Sequence, residues 1–221
     1  YKVPNLLIVD SSPRQFSYLT RFNCQTLYLP NMPMPAKLYR AALKINTEYT
    51  LICADDDFFS INGVLKGIEF LRSNKDFNSV QGNYVNFDVT NGGNYYWPLY
   101  AESAGYRNES NSLIERITKT FSRQCFYSLR RTSSFQKITR ALKSNLPVST
   151  LEIGTHIIEP YLGKHAVLNI FWMARDSASH TSYQDLQKEK TINDLTTLHL
   201  HDWPFFLKTS DGLKFLNGIY E

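Results

Sequence analysis

Apolar positions along the first half of the chain fall alternately at strand and helix spacing, which predicts the two element types in turn. Leu6-Leu-Ile-Val9 is a short strand of buried type closed by Asp10, and Ser11-Ser12-Pro13 turns from it into a helix expected to reach about Phe22. A strand near Thr26 to Leu29 leads through a proline-rich turn, Pro30 to Pro35, into a helix from Ala36 to about Ile45. Leu38, Ala42 and Ile45 carry the apolar face of that helix. Tyr49-Thr-Leu-Ile-Cys-Ala54 is again short, apolar and aromatic or β-branched, a buried strand that places Cys53 in the core. Ile61, Val64, Leu65, Ile68 and Leu71 then recur at helical spacing as far as Arg72. Alternation of this kind predicts an α/β fold with a mainly parallel sheet flanked by helices.

The second half is patterned differently. Ser79 to Val89 is β-like, 91–94 is a turn, and Tyr95-Tyr-Trp-Pro-Leu-Tyr100 is an aromatic segment followed by a polar loop over 101–112. Helices are expected over 112–121, 134–143 and 150–162, with strands over 125–129 and 166–173. Beyond Arg175 the periodicity is weak.

Three consecutive carboxylates, Asp55-Asp56-Asp57, stand between the strand at 49–54 and the helix at 61–72. Adjacent carboxylates repel one another and lose hydration where partly buried. A hard divalent cation such as Mg²⁺ or Mn²⁺ relieves both costs, because it prefers carboxylate oxygens. The competing reading is that one of them caps the following helix and complements its dipole, although three exceed what a cap requires. In mainly parallel sheets ligands bind beyond the carboxyl ends of the strands, the position of both Asp10 and Asp55–Asp57.

Size and composition narrow the class. The 221 residues, 43% hydrophobic and 20% charged, fit one globular domain spanning 1–221. No apolar run reaches membrane-span length and no signal-peptide pattern opens the chain, while Tyr at position 1 implies a processed chain or an excised fragment. Cys24, Cys53 and Cys125 lack paired-ligand spacing and are expected to be reduced thiols of a cytoplasmic protein. The segment 116–143 holds Arg116, Lys119, Arg123, Arg130, Arg131, Lys137, Arg140 and Lys143 and no acidic residue. That concentration exceeds the formal charge of +4 on the whole chain and leaves the remainder net acidic. It reads either as an anion-binding surface or as a solvated helical face.

These features together resemble the nucleotide-sugar-dependent glycosyltransferases of the GT-A fold. The acidic metal motif of that family closes a central strand, as Ile52-Cys-Ala-Asp-Asp-Asp57 does here, and Leu7-Ile-Val-Asp10-Ser-Ser12 is similar to its nucleotide-side strand. Ala54–Phe58, Val80-Gln-Gly-Asn-Tyr84 and Phe126-Tyr-Ser-Leu-Arg-Arg131 further resemble a bacterial subgroup linked to surface polysaccharides. The resemblance covers about residues 4–175, with the strand that usually opens the fold expected to be absent or replaced. It implies a GT-A-like, Rossmann-like mixed sheet, with a nucleotide- and metal-binding half over 1–90 and an acceptor-side half and tail over 91–221.

The implied activity is metal-dependent transfer of a sugar from a nucleotide-sugar donor to a glycan or lipid-linked acceptor. By resemblance Asp55 and Asp57 hold Mn²⁺ or Mg²⁺ and the diphosphate, Asp56 lies nearer the sugar, and Asp10 accepts hydrogen bonds from base or ribose. Glu152 is the acidic base candidate. With His156 and Glu159 it lies on one helical face; the competing reading is a solvated stripe, and a second metal site is a lesser alternative. A late histidine completes the metal shell in many relatives; His180 is the candidate, with His199 and His201 as alternatives. Arg130 and Arg131 are placed to clamp phosphate. Tyr95, Tyr96, Trp97 and Tyr100 offer stacking faces for a sugar or core packing. A cytoplasmic protein with peripheral contact at the inner membrane face through 116–143, and no nucleic-acid partner, is the expectation. The rival readings are a metal-dependent nucleotidyl- or phosphotransferase and a non-enzymatic module binding RNA or an anionic glycan.

Overall fold

The computed structural model describes residues 5–16, 24–87, 107–120, 125–143 and 148–176. Strands β1 (Leu7–Asp10) and β2 (Gln25–Tyr28) pair in parallel as a two-stranded sheet, and helix α1 (Met34–Ala42) follows. The remaining order is β3 (Tyr49–Thr50), β4 (Phe58–Phe59), α2 (Ile61–Ser73), β5 (Phe77–Phe87), β6 (Arg107–Asn108), α3 (Leu113–Thr120), β7 (Leu129–Arg131), α4 (Thr132–Ala141), α5 (Val148–Leu162) and β8 (Lys164–Asp176). Six of these strands form the second sheet in the order β3-β7-β5-β8-β4, with β6 paired to β8. The architecture is the expected mixed α/β one, a curled sheet with helices.

The pairing corrects the expectation of a mainly parallel sheet. β1–β2 and β5–β8 are parallel, whereas β3–β7, β4–β8, β5–β7 and β6–β8 are antiparallel. A β–α alternation in sequence is compatible with either direction when the strands are only two or three residues long, as β3, β4, β6 and β7 are. Apolar spacing reports burial, not strand direction.

Several elements begin or end away from their expected positions. Proline sits in the first turn of α1, where its missing N–H costs nothing, so this helix starts at Met34 rather than Ala36. The strand expected over 49–54 retains ladder pairing only at Tyr49 and Thr50, and 51–54 run on without regular structure. Cys53 is exposed there, not in the core. Residues 12–14 bend without helical structure, and the rest of the helix expected to Phe22 lies outside the described residues.

The core lies along the long β5–β8 pair. Leu71, Val80, Leu129, Leu142, Trp172 and Met173 are buried in one cluster, and the Trp172 indole donates to the Tyr127 carbonyl at 3.0 Å. At Gly82 the register of this pair shifts, and a Cβ there would lie 2.5 Å from the Ile170 carbonyl oxygen. The two backbones approach closely enough that only glycine fits.

Candidate active site

The aspartate run is a tight exposed turn. Asp55 and Asp56 are at its tip, Asp57 is half-buried, and the Asp57 amide donates to the Ala54 carbonyl at 3.4 Å. None of the three caps α2. Ser60 does, its hydroxyl accepting the Gly63 amide at 3.1 Å. With the cap supplied elsewhere, the helix gives no reason for three carboxylates here. Their field is felt locally: the Cys53 thiol is pushed up to about 11, first by partial desolvation at this exposed residue and then by Asp57, Asp56 and Asp55.

Register brings a cation to the same place. β4 pairs Phe58 with Ala174 and Phe59 with Met173, so one further step along that antiparallel ladder runs Asp57 towards Arg175. The Arg175 guanidinium lies 5.0 Å from the centre of the Tyr127 ring. Tyr127, on the turn before β7, is the meeting point. Its hydroxyl is raised to about 12 by burial, Arg175 acts against that shift, and Asp57, Glu152 and Asp56 add to it. Glu152, on α5, has its carboxyl raised above the ordinary value by burial, with Arg175 opposing. Two loop carboxylates, a helix carboxyl and a guanidinium thus act electrostatically on one phenol.

Glu152, His156 and Glu159 do share a face of α5, but the face turns inward and each residue has a separate environment. His156 Nε2 accepts the Cys125 amide at 3.3 Å, and burial, then the Arg130 charge, lowers it to about 4. Glu159 is fully buried, accepting from Arg130 Nε at 2.9 Å and from Asn78 Nδ2 at 2.6 Å. The stripe is neither solvated nor a second metal site. Among the described residues no three His, Cys, Asp or Glu side chains are grouped to hold a metal ion.

The two arginines read as a phosphate clamp are corrected by the same geometry. Arg130 is 1% exposed, and its guanidinium is spent on Glu159 and on the Cys125 and Phe126 carbonyls. Arg131 donates to the carbonyls of Phe77, Leu71 and Asn74, closing the end of α2, and lies over Tyr49. Both belong to β7, which pairs antiparallel with β3 through Tyr49 and Thr50, so Arg131 sits at the end of β3 away from the aspartates. Asp10 closes β1 as expected, with its carboxylate taken up locally. The Ser12 hydroxyl and amide hold it below the ordinary range, and the Lys37 ammonium, which donates to Ser11 at 2.9 Å, adds to the effect. His180, His199, His201 and the aromatic segment 95–100 lie outside the described residues.

Two of the solved structures similar to this chain are of S. aureus TarS. A crystal structure of TarS 1–349 matches with a TM-score of 0.53 at 14% identity, covering 98% of this chain and 61% of that one. A second TarS crystal structure matches with a TM-score of 0.51 at 13% identity, covering 98% and 37%. The fold is glycosyltransferase-like. The chain spans less than two thirds of the length of either structure. No protein-family model matches it, and no curated protein matches it in sequence.

Sequence reasoning missed Arg175 and Tyr127. Arg175 is the lone cation closing the apolar run of β8, a signal visible in the chain but read as the start of a tail. Tyr127 stood within the Phe126–Arg131 segment that carries the resemblance, but the sequence did not single it out, because the charges that act on it come from α5, β8 and the aspartate turn.

Proposed function

We propose that this chain transfers a sugar from a nucleotide-sugar donor to a glycan or lipid-linked acceptor in cell-surface polysaccharide synthesis. The observation that carries the reading is the Arg175 guanidinium, 5.0 Å from the Tyr127 ring centre and run towards Asp57 by the β4–β8 register, within a glycosyltransferase-like fold. TarS, which shares the fold, is a wall teichoic acid glycosyltransferase.

Each group suits one need of glycosyl transfer. Glu152, with its raised carboxyl, is a stronger base than an ordinary glutamate and would take the proton of an attacking hydroxyl. Arg175 offers a fixed positive charge to a departing diphosphate, the role that buried Arg130 cannot fill. Asp55 and Asp57 fit a magnesium-type site in which one or two carboxylates bind and substrate phosphates supply the remaining oxygens. A divalent cation held there would neutralise the leaving diphosphate as a Lewis acid. Asp10 stays the residue for base or ribose at the end of β1.

Calorimetry with UDP, GDP, CDP and their sugars, with and without Mn²⁺, tests the donor site. The expected outcome is metal-dependent binding of one nucleotide, lost in Asp55→Ala/Asp57→Ala. A folded chain that binds none of them refutes the reading.

A further inference from the structure

Five basic residues that the candidate site leaves unused gather on one surface. The stretches 34–47 and 132–147 contain no Asp or Glu. Arg40 and Lys44, on and just beyond α1, are exposed, as are Lys137, Arg140 and Lys143 on and beyond α4. The two helices lie side by side: Gln136 donates to the Ala42 carbonyl at 3.1 Å, and Lys143 sits 5.8 Å from the Tyr39 ring centre. At about 100° per residue, α1 turns from the α4-facing Tyr39 through Leu43 and Arg40 to Lys44. On α4 the same rotation runs from Gln136 and Lys143 through Arg140 to Lys137. The exposed arcs therefore meet in one cationic face.

That face also has an apolar part. Between α1 and β2 lies a groove of about 440 Å³ lined by Leu27, Leu29, Met32 and Leu43, with Arg40 and Lys44 beside them. Leu43 is 56% exposed and lines the groove together with the two cations. A polyanion in water would need only the charges. Exposed leucine beside cations matches a surface that is anionic outside and apolar beneath.

We propose that the α1–α4 face docks on an anionic phospholipid surface, its cations meeting headgroup phosphates and the Leu43 groove taking the apolar layer below. The membrane contact expected of segment 116–143 thereby moves. Arg130 and Arg131 are consumed inside the fold, while α1, outside that segment, supplies the groove and two cations.

The test is co-sedimentation of the full chain with vesicles of phosphatidylcholine alone and of an equimolar phosphatidylcholine–phosphatidylglycerol mixture. Binding is expected to the mixture only, to weaken with salt, and to fall about fivefold for each of Arg40→Ala, Lys44→Ala and Arg140→Ala. Leu43→Ser should weaken it as well. All four positions are exposed, so urea-unfolding midpoints serve as folding controls independent of any nucleotide binding. Failure to bind the mixed vesicles, or binding that survives the alanine substitutions, overturns the proposal. So does an unchanged Leu43→Ser variant that binds polyphosphate as well as vesicles, which would make the face a polyanion site.

Discussion

At the scale of single residues, Glu152 stands out because its partners on α5 are already committed. His156 accepts a backbone amide and Glu159 neutralises Arg130, leaving Glu152 as the acidic side chain of that face that interacts electrostatically with Tyr127 and Arg175. Glu152→Gln keeps shape and removes basicity. Turnover should fall about 10²–10⁴-fold while nucleotide affinity measured by calorimetry stays unchanged. Because the raised carboxyl must lose its proton to act, the acidic limb of kcat/KM should lie above the range of an ordinary glutamate and vanish in the variant. Equal loss of binding and turnover would instead make Glu152 part of the donor site.

Among the elements, the aspartate turn and helix α2 separate two roles that the sequence superimposes. Ser60 is the cap, so Ser60→Ala should cost about 1 kcal/mol in urea unfolding. Asp55→Ala and Asp56→Ala, exposed at the turn tip, should leave stability nearly unchanged and show their effect in metal-dependent nucleotide binding. A destabilisation by either aspartate variant comparable to that of Ser60→Ala would restore the capping reading.

At the scale of the whole fold, a buried polar centre ties together β5, β7 and α5. Arg130 and Glu159 pair at 2.9 Å with side chains 1% and 0% exposed, and Asn78, Ser134 and the Cys125 and Phe126 carbonyls complete their bonding. Glu159→Ala leaves a buried guanidinium uncompensated and should cost about 3–5 kcal/mol, whereas Arg130→Met/Glu159→Leu together should cost less than either single change. Were Arg130 a phosphate clamp, its substitution would weaken nucleotide binding in a fold of normal stability.

Two histidines share that centre: burial first, then Arg130, lowers His156 to about 4 and His165 to about 3. Both stay neutral in the folded chain while the unfolded chain protonates them near 6.5. Stability should therefore fall as pH drops below about 6.5, with each histidine adding up to about 1.4 kcal/mol per pH unit until its folded value is reached. Urea unfolding from pH 7 to 4 reads this slope. His165→Gln should flatten it, and an unaltered slope would remove His165 from the account.

What the sequence by itself determined was local. The alternation of apolar spacings located β1, β2, α2, β5, α5 and β8 to within a few residues, since burial of one face leaves a periodic record. The aspartate triplet ahead of α2 drew attention to its turn, because clustered carboxylates need a reason. Tertiary structure decided strand direction, the exposure of Cys53, and which charges were already spent. Arg130 and Arg175 are equally basic as letters. One is enclosed with Glu159, and the other reaches Tyr127 only because β4 and β8 pair in a particular register. Partner choice among charges depends on distances between remote segments, which the local pattern of a chain does not encode.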